Sequence, residues 1–149
     1  MTKSEQDHAS RAIACKGWRW MPGMLIRTVY GVTDRIAGID DTHIHAWAES
    51  QQTDCPRGMW IRYRRDRMKN HGVPDLTDPA TLGCLLALVR EAWDDPHAYV
   101  LASSPDWYTM RSPNGAGGWL GLSPIDGSTE AAALVCALES APSRAGGEE

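Results

Sequence analysis

The sequence predicts an α+β fold: an antiparallel sheet of about five to seven strands, two main helices at about 79–94 and 128–140 packed on one face, and a short N-terminal helix. Three observations predict it. Period-two alternation recurs in short runs bounded by Gly, Pro and polar clusters, as at 17–21, 24–30 and 59–65. Helical spacing of apolar residues is clearest in two stretches, Leu82 to Trp93 and Ala131 to Leu138. A chain of 149 residues, 42% hydrophobic and 23% charged, is long enough to bury its own core and shows no internal repeat or linker. One domain over 1–142 with a frayed tail at 143–149 is the expectation.

Each element has a local reason. Ser4 and Asp7 stand at capping-box spacing before Ala9, Ala12 and Ile13, with Gly17 just past the end. The run Gly17–Met21 alternates, Pro22-Gly23 is a turn dipeptide, and 24–30 alternates again, which reads as two adjacent antiparallel strands. Ile36–Ile39 and His43–Trp47 are further β-rich pieces, followed by a polar surface loop at 49–54. From Met59 to Arg65, Trp60, Arg62 and Arg64 alternate with Ile61, Tyr63 and Arg65, the pattern of an edge strand whose charges blunt edge-to-edge pairing. Asp78 as N-cap and Pro79 at the first helical position open the clearest helix, which Pro96 stops. His97–Ser103 and Trp107–Arg111 read as strands, 112–118 as a loop and Trp119–Leu122 as a short strand. Ser128 caps the last helix, with Glu130 in its first turn and Pro142 after its end.

Composition narrows the chemistry. Seven Trp and four Tyr stand against no Phe, and indole and phenol carry a polar handle suited to half-buried contact surfaces as well as cores. The net charge is −4, unevenly spread: residues 1–75 hold 12 Lys/Arg and 9 Asp/Glu, a net of +3, and residues 76–149 hold 3 and 10, a net of −7. Overall acidity argues against extensive duplex nucleic-acid binding. The longest apolar run, Ala131–Leu138, is too short to span a bilayer, and the N-terminal residues lack the apolar stretch of a secretory signal. No membrane association is expected and the cytoplasm is the expected compartment. Cysteines at 15, 55, 84 and 136 form no CxxC pair and read as reduced packing residues.

Two segments carry candidate chemistry. His43 and His45 alternate on a strand, so both imidazoles share one face, as a metal pair requires. Locally, Ile39-Asp40-Asp41-Thr42-His43-Ile44-His45 resembles the first metal-binding strand of amidohydrolases. That family's barrel takes about 200 residues or more, so a solvated or interface strand is the favoured reading. The second segment, Trp60 to His71, interleaves Arg62, Arg64, Arg65, Arg67 and Lys69 with Trp60 and Tyr63. Guanidinium groups offer bidentate donors to phosphate or carboxylate, and aromatic faces accept stacked groups. A small anion, a nucleotide or an acidic protein patch fits it best. Trp18 and Trp20, two apart, would share a strand face as core packing or as the wall of a pocket. The glycines at 115–118 lack the GxGxxG and Walker spacings, and HExxH, GxSxG and the deaminase pattern are absent. No catalytic residue is assigned and no cofactor is expected.

Three segments, Gly17-Trp18-Arg19-Trp20-Met21-Pro22-Gly23-Met24, Pro74 to Trp93 (PDLTDPATLGCLLALVREAW) and Thr129 to Val135 (TEAAALV), are together similar to a group of small proteins of tailed phages and prophages of uncharacterised function. The resemblance implies a phage product acting in a bacterial host cytoplasm, and it transfers no catalytic residues. The leading expectation is a non-enzymatic accessory protein that counteracts a bacterial defence by blocking a host protein complex or sequestering a nucleotide signal. Trp60, Arg62, Tyr63, Arg64, Arg65, Trp18 and Trp20 are the candidate contact residues, and self-association is left open. The alternatives are a metal-dependent hydrolase or nuclease built on His43 and His45 with Asp40 and Asp41, and a minor virion or assembly protein.

Overall fold

A computed structural model describes residues 1–50, 57–104, 107–111 and 129–142. Among these the chain runs α1 (Lys3–Ala14), β1 (Leu25–Thr28), β2 (Thr33–Ile39), β3 (His43–Ala48), β4 (Trp60–Arg64), a 3-10 turn (Arg65–Asn70), β5 (Gly72–Pro74), α2 (Pro79–Trp93), β6 (Tyr99–Ser104), β7 (Trp107–Arg111) and α3 (Glu130–Glu139). The α+β class is the one expected. The strands form two sheets, however: an antiparallel one ordered β4-β3-β2-β1-β5, and the hairpin β6-β7. By contacts the chain divides into two compact units, Met1–Ile13 with Arg19–Cys84, and Ala14–Trp18 with Leu85–Glu149, so the division falls inside α2.

In the first unit the sheet has a core face and an outer face. Ile26, Ile36, Ile44, Ala46 and Ala48 alternate inward and are at most 1% exposed. Each buried isoleucine contributes on the order of 1.5–3 kcal/mol relative to exposure. A slip of one residue would move all of them to water, so the register is strongly specified. β5 is shorter than any strand expected from the sequence, and Pro74 within it masks the signal. Gly72 explains how β5 sits so close to β1: a Cβ there would fall 2.6 Å from the Arg27 carbonyl oxygen. A substitution at Gly72 therefore has to push the two strands apart.

Local caps differ from those read in the sequence. α1 opens with Thr2 and Glu5 as the reciprocal box: the Glu5 amide donates to Thr2 Oγ1 at 3.2 Å and the Thr2 amide to Glu5 Oε2 at 2.6 Å. Ser4 lies inside the helix. The segment 17–21 is not a strand; the Trp18 amide closes a turn onto the Cys15 carbonyl at 3.0 Å, which commits the chain to a helix exit instead of a ladder. α3 is capped by Thr129, whose hydroxyl accepts from the Ala132 amide at 3.1 Å, one residue after the expected Ser128.

In the second unit α3 packs against β6 and β7. All eight residues from Ala131 to Leu138 are buried, the mark of a helix covered on more than one side. The Trp93 indole donates to the Ala137 carbonyl at 2.8 Å, and Arg90 Nε to the Ala98 carbonyl at 2.7 Å, so the end of α2 is fixed to both α3 and the approach to β6. Cys15, Cys84 and Cys136 are free thiols. Among the described residues no helix is long and apolar enough to cross a membrane. The loop at 112–118, the strand at Trp119–Leu122, Cys55 and the tail at 143–149 lie outside the described residues.

Candidate binding surface

β3 and β4 pair so that His43 faces Arg64, His45 faces Arg62 and Trp47 faces Trp60. Directly opposed residues share a sheet face. The three pairs therefore line up on the outer face, where Trp60 is 61% exposed and Trp47 40%. Their indoles meet edge to face, centroids 4.8 Å apart at 81°, an arrangement worth about 0.5–1.5 kcal/mol beyond area burial. Gly58, with φ +87°, turns the chain into β4 and sits against the Trp47 ring. On the other side of β3 the register shifts between Ile36 and Gly38, which sets Gly38 opposite His45. A side chain on Gly38 would meet nothing within 4 Å among the described residues, which leave the surface beside His45 open.

The two histidines are held from the turn that precedes them. Asp40 Oδ1 accepts from the Thr42 amide at 2.8 Å and the His43 amide at 2.7 Å, while Asp40 Oδ2 lies 2.7 Å from His45 Nε2. His43 Nδ1 is 2.7 Å from Thr42 Oγ1. The His45 contact, then the two amides, hold the Asp40 carboxyl well below the usual carboxylate range. Each imidazole thus already has one local partner. Among the described residues no group of three or more His, Cys, Asp or Glu is placed to hold a metal ion.

The arginines of the outer face differ sharply in their company. Arg35 on β2 donates to Glu49 (Nε to Oε1, 2.5 Å), to Asp78 (2.9 and 3.0 Å) and to the Gly23 carbonyl (2.8 Å). The Asp78 and Glu49 bonds raise its already high pKa further. Arg27 on β1 pairs with the buried Asp75. Burial alone would raise the Asp75 pKa, but the Thr77 hydroxyl and amide and the Arg27 guanidinium outweigh it and hold the group below its ordinary value. On β4, Arg64 forms a two-bond pair with Asp66 at 3.1 and 3.0 Å, and both side chains are largely exposed. Arg65 starts the 3-10 turn and donates to the Asp40 carbonyl at 3.1 Å. Among the described residues Arg62 has no hydrogen-bond or ion-pair partner. Residues 57–71 carry six Lys/Arg and one Asp, so the β4 side of the face is basic.

Of the residues singled out in the sequence, the fold therefore brings together Trp60, Arg62, Arg64, His43 and His45, with Arg65 at the margin. Tyr63 turns to the opposite face, where its hydroxyl donates to the buried Asp34; burial raises the Asp34 pKa, and the Tyr63 bond opposes that rise. Trp18 and Trp20 lie outside the strands, and the unit boundary separates them. Trp47 joins the surface without having been singled out. The available signal was its spacing, two and four residues from His45 and His43, which fixes a common face once 43–47 is read as a strand. No family model, no curated protein and no solved structure matches this chain.

Proposed function

We propose that this chain is a non-enzymatic binding protein of phage or prophage origin that holds an anionic partner on the outer face of β3 and β4. The observation that carries the reading is Arg62: an exposed guanidinium without a partner among the described residues, set between the Trp47–Trp60 pair and the His43–Arg64 pair. A charge left open beside exposed indoles combines the residue types that dominate binding hot spots. In a bacterial cytoplasm such a face would counteract a defence by occupying an acidic patch of a host protein or a nucleotide signal. The three segments similar to phage proteins support that setting.

Calorimetric titration with a cyclic dinucleotide, a single-stranded oligonucleotide and an oligo-glutamate peptide tests the face. At least one should bind, and Arg62→Glu should weaken it by about tenfold or more, the scale of one good charge contact, with the fold intact. Failure of all three, or equal binding by the charge-reversed variant, would rule the surface out.

A further inference from the structure

β4 offers its backbone as well as its side chains. Among the described residues it stands last in the sheet, bonded to β3 on one side alone. In an antiparallel ladder the amide and carbonyl groups of successive residues point alternately to the two sides. The Arg65 amide donates to the Thr42 carbonyl and the Ala48 amide to the Met59 carbonyl, both at 3.0 Å, so residues 59, 61, 63 and 65 turn their backbone towards β3. Trp60, Arg62 and Arg64 therefore direct their amides and carbonyls to the open edge, and the same three residues set their side chains on the outer face.

Charge on an edge strand ordinarily blunts pairing with another strand. These arginines do so selectively. A twofold pairing of β4 with a second copy, centred on Arg62, sets Arg62 against its own counterpart, and like charges directly opposite are destabilising. An acidic strand meets the reverse situation: among the described residues Arg62 is open and Arg64 is engaged only by Asp66, in an exposed pair of the kind worth little, so its partner can be exchanged. The Trp47–Trp60 pair supplies an aromatic anchor at one end of the edge.

From this we infer that β4 is a docking edge for an extended acidic segment of another protein, which adds to the five-stranded sheet as an antiparallel strand. Its backbone bonds to Trp60, Arg62 and Arg64, and its carboxylates lie beside Arg62 on the outer face. The inference rests on the anion-binding reading above and narrows the partner to an extended peptide.

The probe is a labelled peptide alternating Glu and Val, compared by fluorescence anisotropy with a Lys/Val version and with two N-methylated forms. In an antiparallel addition the residues that share a face with Arg62 also carry the hydrogen bonds to β4. N-methylation of the Glu residues should therefore weaken binding by about tenfold or more, as expected for lost backbone bonds, while N-methylation of the Val residues is tolerated and the Lys/Val peptide fails to bind. Hydrogen exchange followed by NMR should show the amides of Trp60, Arg62 and Arg64 exchanging fast in the free protein and slowly with the peptide, with Ile61 and Tyr63 slow in both. If both N-methylated forms bind as the parent does while Arg62→Glu abolishes binding, strand addition is wrong and the anion-binding face stands. Preference for the oligonucleotide or dinucleotide over the acidic peptide has the same meaning. Slow exchange at Trp60, Arg62 and Arg64 in the free protein would show the edge already covered and overturn the inference. If no anionic probe binds, both readings fall.

Discussion

Two regions of one sheet face are built from the same residue type to opposite ends. Around β1 and β2, Arg27 and Arg35 are surrounded by Asp75, Glu49 and Asp78, and Asp78 also accepts from the Thr81 amide and hydroxyl at the start of α2. Around β4, Arg62 has no such company among the described residues. The first region uses arginine as a structural tie between strand and helix. The second leaves it available. The lesson is that the count of arginines in a segment says little until the acidic residues brought to them by the fold are known.

The comparison breaks most readily at Arg35. Replacing it by Ala strips Asp78 and Glu49 of a shared, half-buried cation, and unfolding in denaturant should show a loss of about 2 kcal/mol at neutral pH. The pH dependence follows from Asp78, whose pKa is lowered by the Arg35 bond, with burial opposing. A lowered folded-state pKa gives stability that is present above the ordinary carboxylate value of 3.8 and is lost as pH falls through the folded-state value. The gap between wild type and Arg35→Ala should accordingly close in acid. A gap that stays constant down to that range would mean the arginine acts by packing alone.

Asp34 tests the face beneath β4. Its pKa is raised by burial, so the sign is reversed: the fold is favoured while the group is protonated, and stability declines as pH rises from the ordinary carboxylate value through the raised one. Asp34→Asn keeps an acceptor for the Tyr63 hydroxyl and removes the charge, and should stabilise by on the order of 1 kcal/mol at neutral pH, with no gain in acid. Thermal unfolding across the acid range measures it.

At Arg62 the expected stability effect is smaller still. Arg62→Ala should leave the unfolding free energy within about 0.5 kcal/mol of wild type, since an exposed residue without partners among the described residues has little to lose. A larger loss would place Arg62 in the structural group with Arg35. The most local effect belongs to Asp40→Ala, which should speed hydrogen exchange at the Thr42 and His43 amides, both donors to Asp40.

Much of the fold was legible from local patterns. Asp78-Pro79 with leucines at helical spacing fixed the start of α2, and the alternation from Trp60 to Arg64 marked an edge strand. The candidate surface was legible in part: the arginines and histidines stood out as types, but their grouping did not. His43 and Arg64 are 21 positions apart, and only the β3–β4 register sets them side by side. The errors have the same root. The 17–21 run alternates like a strand but finds no ladder, and three-residue β5 carries too little pattern to announce itself.

The sequence by itself determined the α+β class, the helical stripes and the polarity of each strand face, because side-chain periodicity is a property of neighbours along the chain. Only the tertiary structure decided which arginine is neutralised and which tryptophans meet. Those depend on pairing register and on charges arriving from distant positions, and a register fixed by burial of the core face sets the outer face as its consequence.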